Sequence, residues 1–250
     1  MGNNMKKTVL VSGSAKGIGA AIIKEFAKEG YNCVINYNTS LEDALELKKE
    51  IEASGVKCLA IQADISDEVA VDKMFKEIEE EFGGVDVLVN NAALDNYALF
   101  PSLKIEDFKK TMDVNVIGAY ILARRAYKYM INNKWGRIIN IASTNGINTY
   151  YPDTLAYDAS KAALISLTHN LAIKFSPYVN VNAVAPGFIG TEAELKDYDA
   201  EFLKEEQEKI LVKRYGKANE VAQLVYFLAS EKANFINNTV IRIDGGQLFS

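Results

Sequence analysis

Cysteine, proline and histidine are all scarce in this chain, which carries two, four and one of them in 250 residues. Cys33 and Cys58 stand in apolar runs without metal-ligand spacing, which favours buried reduced thiols over a disulfide framework or a metal centre, and no metal is expected. The prolines, Pro101, Pro152, Pro177 and Pro186, fall at the ends of periodic segments rather than inside them. His169 has no carboxylate or cysteine at motif spacing, so a structural or surface role outweighs a catalytic one. No apolar run approaches the roughly 18 residues of a membrane span, and with reduced thiols this points to a cytoplasmic protein without a membrane partner. Excess positive charge is missing too: the net charge is −5 with no Lys/Arg run, so nucleic acid is not an expected partner.

What the chain does contain is a repeat of short β-branched runs and longer helical patterns. TVLVSG precedes Gly17 to Lys28, NCVINY precedes Leu41 to Ala53, KCLAIQAD precedes Glu68 to Phe82, and VDVLVNNAA follows. A long helix is expected from Ile105 to Ile131, then GRIINIAS, a helix over Tyr157 to Phe175, VNVNAVAP, a helix near Asn219 to Leu228, and TVIRID. The strands are continuously apolar, as in sheets buried on both faces. Together these patterns predict one α/β domain over residues 1–250, a Rossmann-type doubly wound fold with a seven-stranded parallel sheet and helices on both faces. Residues 188–213 break the rhythm and read as a helical insertion covering the strand ends, where ligands bind in such folds.

SGSAKGIG closes the first strand and opens the first helix. Gly13, Gly17 and Gly19 then stand where the backbone turns tightly, and a helix N-terminus there offers N–H groups and a positive dipole end to a pyrophosphate. The alternative is a tight turn with glycines for packing only. After the second strand, where an acid would hold the ribose hydroxyl of NAD, INYNTS has none. Hydroxyls, amides and a cation suit a 2′-phosphate instead, and Asn38, Thr39 and Lys16 supply them, so NADP(H) is the expected cofactor. The plainer alternative leaves Lys16 in solvent and Asn38, Thr39 and Ser40 as a helix cap.

In YDASK, Tyr157 and Lys161 are four residues apart and share a helix face. Neither is a useful base at neutral pH when unperturbed, but an ammonium favours a neighbouring phenolate, so the pair can serve as an acid/base unit; the alternative is a chance pairing, since this spacing arises on any helix. Ser143 ends a strand just upstream and is either a hydrogen-bond partner for a substrate carbonyl or a loop or helix-cap serine. Tyr150, Tyr151, Leu94, Asn96 and Phe188 are either lining of the same cleft or exposed loop residues.

SGSAKGIG, NNAA at Asn90 to Ala93, Asn115 in MDVNVIG, Ser143 in NIAS, YDASK and PGFIGT at Pro186 to Thr191 occur in the order and spacing of the short-chain dehydrogenase/reductase family, which the chain resembles over nearly its whole length. GRIINIAS, VNAVAPGFIGT, VAQLVYFLAS and IDGG resemble its 3-oxoacyl-acyl-carrier-protein reductase branch most. The resemblance implies Tyr157 as proton donor, Lys161 holding the nicotinamide ribose and lowering the tyrosine pKa, Ser143 orienting the substrate oxygen, and Asn115 anchoring a water that relays protons. It further implies Asp64 near the adenine, Asn91 at the adenosine ribose, and Ile189 and Thr191 at the carboxamide. Ser14, Ile18, Ile65, Ala92, Ala93, Pro186 and Gly187 complete the implied cofactor contacts, and a homotetramer built on the two long helices is implied as well.

The expected activity is therefore NADP(H)-dependent reduction of a keto group, or oxidation of the hydroxyl, with a 3-oxoacyl thioester carried on acyl carrier protein in fatty acid biosynthesis as the leading substrate. Ile173 departs from that branch, which usually has Arg there to meet the acidic carrier. It favours a second reading, a dehydrogenase of a sugar, steroid or other secondary alcohol. Arg124, Arg125 and Lys128 offer either a substitute basic patch or a solvated or interface helix face. A third reading, a catalytically idle NADP-binding regulator, is opposed by the intact Ser143, Tyr157 and Lys161.

Overall fold

Every residue of TVLV, VLVN, GRIINI and VNVNAVAP is buried, which follows from strings of β-branched residues that only a sheet covered on both faces can hide. The computed structural model describes residues 6–191, Leu195 and residues 199–248. Its strands are β1 (Thr8–Val11), β2 (Asn32–Tyr37), β3 (Cys58–Gln62), β4 (Val87–Asn90), β5 (Gly136–Ile141), β6 (Val179–Pro186) and β7 (Val240–Ile243). All pair in parallel in the order β3-β2-β1-β4-β5-β6-β7. Leu10 of β1 stands beside both Val34 of β2 and Leu88 of β4. The order reverses between β1 and β4, which opens a crevice at their carboxyl ends.

The helices are α1 (Gly17–Lys28), α2 (Leu41–Ala53), α3 (Glu68–Phe82), α4 (Ile105–Met112), α5 (Ala119–Asn132), α6 (Leu155–Phe175), α7 (Ala200–Lys209) and α8 (Ala218–Ala229). One core layer joins Ile22, Ile23 and Phe26 of α1 to Val225 and Leu228 of α8. The opposite layer joins Met74 and Ile78 of α3, Leu122 and Met130 of α5, and Leu171 and Phe175 of α6. Local chemistry sets the ends of these helices. Asp67 caps α3 by accepting from Val69 N at 2.8 Å and Ala70 N at 3.3 Å, and Gly83 at φ +83° stops it.

The expected single helix from Ile105 to Ile131 is interrupted: α4 runs into a wide π-helical turn, Asp113–Gly118, before α5 begins. Such a turn holds one extra residue and leaves no gap in hydrophobic periodicity that would betray it. β5 ends at Ile141, two residues before Ser143, and α6 begins at Leu155, two before Tyr157. Within the expected insertion, α7 is present, while residues 192–194 and 196–198 lie outside the described residues. No helix among the described residues is long and apolar enough to cross a membrane.

Candidate active site

The glycine turn after β1 is held both by its own serines and by Asn36 of the neighbouring strand β2. Buried Asn36 of β2 accepts from Gly13 N at 3.2 Å, its main-chain oxygen accepts from Ser14 N at 3.0 Å, and its amide donates to Ala63 O at 3.0 Å. Ser12 Oγ accepts from Asn91 N and Ala92 N, each at 3.0 Å, tying the turn to the strand β4 exit. Gly13 adopts φ +60°, and a Cβ there would lie 2.8 Å from Ala92 Cα. A Cβ on Gly19 would meet Asn91 Nδ2 at 2.6 Å and Gly13 O at 2.7 Å. Both positions exclude side chains for packing reasons; separately, Lys16 at the N-cap of α1 makes no side-chain cap bond, leaving the N-terminal dipole end for an anion.

The residues expected on the adenosine side sit at the carboxyl edges of β2 and β3. Asn38 and Thr39 are exposed. Asp64 accepts from Ser66 N at 2.9 Å and Ser66 Oγ at 2.6 Å, so one carboxylate oxygen is spent on its own turn. Ile65 is buried and packs at the backbone of Gly118, where a Cβ would be 2.8 Å from it. Ser14 is fully buried with its hydroxyl donating to Val11 O at 2.8 Å, so it braces the turn from inside. Lys16 ion-pairs with Asp43 of α2 at 2.9 Å. That acid, three residues beyond INYNTS, is a neighbour the motif pattern did not show.

The other half of the site is a cavity of about 690 Å³. Ser143, Tyr157 and Lys161 all line it, as do Ile18, Asn91, Ala93, Pro186, Gly187, Ile189 and Thr191. Ser143 lies just past β5 with its Oγ accepting from Asn145 N at 3.2 Å. Lys161 is fully buried, donates to Ile141 O at 2.8 Å and sits 5.3 Å from the centre of the Tyr157 ring. Burial pulls its pKa from 10.5 down to about 8, against a smaller opposing pull from Asp95. The ammonium form therefore persists at neutral pH with a narrow margin.

Asn115 lies outside the cavity wall and is almost wholly buried in the π-helical turn. Its Oδ1 accepts from Leu94 N at 2.7 Å, and its Nδ2 donates to Leu94 O at 3.0 Å and Ser160 Oγ at 2.9 Å. It thereby clamps the loop after β4 to α6 three residues beyond Tyr157.

Of the aromatic and loop candidates, Tyr151 and Phe188 line the cavity, whereas Tyr150 points outward at 66% exposure and Leu94 and Asn96 are not in its wall. Phe188 stacks edge-on with Tyr151, Phe202 and Tyr215, which fastens α7 over the opening. Tyr151 also donates to buried Glu206 of α7 at 2.9 Å. Sequence reasoning missed Asn145, whose amide donates to Asp158 at 2.8 Å, as well as Asn36, Gln247 and the rim acids Asp95, Asp153 and Asp199. Nothing in linear spacing marks them, because each reaches the site only through a turn or a different element. His169 pairs with Asn238 at 2.6 Å outside the cavity. Arg124 bonds Glu68, and Arg125 bonds Glu68 at 2.7 Å and also Asp72, so the α5 arginines are neutralised by α3.

Residues 13–247 match a family described as Enoyl-(Acyl carrier protein) reductase. The 3-oxoacyl-[acyl-carrier-protein] reductase of Staphylococcus aureus is 38% identical over 97% of this chain and 98% of that protein. The chain belongs to the short-chain dehydrogenase/reductase family. Glucose 1-dehydrogenase 2 of Bacillus subtilis is 35% identical over 96% of this chain and 94% of its own length. A short chain dehydrogenase from Burkholderia cenocepacia J2315, solved in complex with NADP, superposes with a TM-score of 0.90 at 36% identity, covering 98% of this chain and 99% of that one. Like these dehydrogenase/reductase relatives, this chain is an oxidoreductase acting on the CH–OH/C=O couple.

Proposed function

We propose that this protein is an NADP(H)-dependent carbonyl reductase and alcohol dehydrogenase, and the observation carrying the reading is the convergence of Ser143, Tyr157 and Lys161 on one cavity. The uncapped first turn of α1 and the forced glycines at 13 and 19 fit a dinucleotide pyrophosphate. Lys16, Asn38 and Thr39 would meet the 2′-phosphate, with Asp43 as the carboxylate that Lys16 must leave. Asn91 and Asp64 serve the adenosine, and Pro186, Gly187, Ile189 and Thr191 the nicotinamide. Bound NADPH supplies a hydride to the carbonyl carbon.

The chain supplies the rest. Ser143 donates a hydrogen bond to the carbonyl oxygen, and Tyr157 gives that oxygen its phenolic proton. The Lys161 ammonium favours the phenolate left behind and holds the ribose. Both Nδ2 hydrogens and Oδ1 of Asn115 are engaged, so its side chain keeps α6 in place and any water-anchoring role belongs to its main chain. Tyr157→Phe tests the reading: NADPH binding stays and kcat falls by about 10²–10⁴, and a near-normal rate would refute it. An NADH preference at equal concentrations would remove the 2′-phosphate site.

For the substrate, the Staphylococcus aureus relative supports a 3-oxoacyl thioester on acyl carrier protein, within fatty acid biosynthesis in the cytoplasm. A specific observation favours the second reading, a free secondary alcohol or ketone. Asp95, Asp153 and Asp199 line the cavity, whose only lysine or arginine among the described residues is buried Lys161, and Ile173 is 74% exposed where a carrier-binding arginine would stand. Carboxylates at the mouth repel an acidic carrier. NADPH oxidation over 3-ketoacyl thioesters, keto sugars and keto steroids separates the two. Activity on none of them, with tight NADPH binding, would favour a binding protein. We also propose a homotetramer, supported by exposed Ile117, Tyr120, Leu155 and Ile173 on the helices expected to form it.

A further inference from the structure

Among the described residues, the wall of the cavity holds one buried polar group with no hydrogen-bond partner. Gln247 follows β7, and its main chain is fixed: it bridges Ile210, and its N–H donates to Asp244 O at 3.1 Å. The side chain is 4% exposed and lines the cavity, yet its Oε1 is buried with no hydrogen-bond partner. That oxygen lies against Gly187, where an added Cβ would come within 2.5 Å of it. The glycine thus leaves room for an amide that the protein itself does not satisfy. A buried acceptor left this way is destabilising, and a donor arriving with a ligand removes the cost.

We propose that Gln247 is a specificity-determining residue, and that the substrate carries a hydrogen-bond donor, a hydroxyl or an amine, in addition to its reacting carbonyl. This rests on the carbonyl-reductase reading above and narrows it. The rim agrees with it, because Asp95 and Asp153 are further acceptors on the same cavity and repel only anions. A site built to hydrogen-bond a donor discriminates strongly against the analogue that lacks it, since the acceptor is then stranded.

Binding is measured on the NADPH-loaded Tyr157→Phe protein, so that the result does not depend on turnover. The probes are a plain ketone and its hydroxy and amino analogues on one carbon skeleton. The Tyr157→Phe protein should prefer the donor-bearing analogues by tenfold or more, and adding Gln247→Leu should bring the ratio close to one. Gln247→Glu, which keeps an acceptor and adds charge, should retain the hydroxy preference and tighten the amino analogue. If Gln247→Leu keeps the original ratio, if Gln247→Glu loses it as leucine does, or if the loss appears in NADPH affinity instead, the proposal is overturned. Absence of turnover by the native enzyme on all probes would count against the reductase reading alone, because the binding ratios would still be read.

Discussion

Lys161 shows what a single residue costs and supplies here. Between about pH 8 and 10.5 the unfolded chain keeps a proton on this lysine that the folded chain has released. Stability contributed by the site therefore rises with pH across that window and is lowest below it, where the buried group is charged. In the cofactor-free protein, the stability gap between Lys161→Met and wild type should shrink by about 2–3 kcal/mol from pH 7 to pH 10, read from urea unfolding; a gap independent of pH would contradict it. At the other end of the site, Lys16 and Asp43 share a 2.9 Å ion pair, both partly exposed. Lys16→Ala should weaken NADPH binding about tenfold, and Asp43→Ala should tighten it by releasing the lysine. Titration of both variants with NADPH decides, and unchanged affinity in Lys16→Ala would end that assignment. Tyr157, Lys161 and Ser143 were legible because their chemistry depends on helical spacing and a strand end, both written in local sequence. Asn145, Asp95 and Gln247 were not, since only the folded chain brings residues 95, 145 and 247 to one cavity.

At the scale of elements, the sheet and most helix limits followed from hydrophobic runs and glycine punctuation, as at Gly83. The π-helical turn did not, because its extra residue changes hydrogen bonding without disturbing the apolar stripe that α4 and α5 present. Its importance lies in Asn115, which links three elements through one carboxamide. Asn115→Ala removes the side-chain partner of Leu94 N and Leu94 O, while the Ser160 hydroxyl loses one donor and keeps its bond to Tyr157 O at 2.7 Å. A loss of about 2–4 kcal/mol in unfolding free energy is expected, with kcat falling further than NADPH affinity as α6 loses its alignment. A variant as stable and active as wild type would show the clamp to be idle. The glycine turn behaves differently: at Gly13 both the positive φ and the contact with Ala92 forbid alanine, so Gly13→Ala should abolish NADPH binding, whereas Gly55, with open space around it, should accept alanine at the cost of its φ of +85° alone.

For the whole molecule, the core layer that includes α1 and α8 seals both thiols. Cys33 and Cys58 are register neighbours on β2 and β3; burial raises both pKa values, that of Cys58 to about 12. Neither should react with a thiol reagent such as DTNB at pH 8 until global unfolding exposes them, and labelling of the native protein would indicate that this edge of the sheet opens. Light scattering on the eluting protein tests the tetramer, and a monomeric mass would leave Ile117, Tyr120 and Ile173 exposed without a partner. The cavity itself draws its wall from Ile18 near one end of the chain to Gln247 near the other. A ligand seated there touches segments more than two hundred residues apart in sequence, so its binding stabilises the glycine turn and the turn after β7 together.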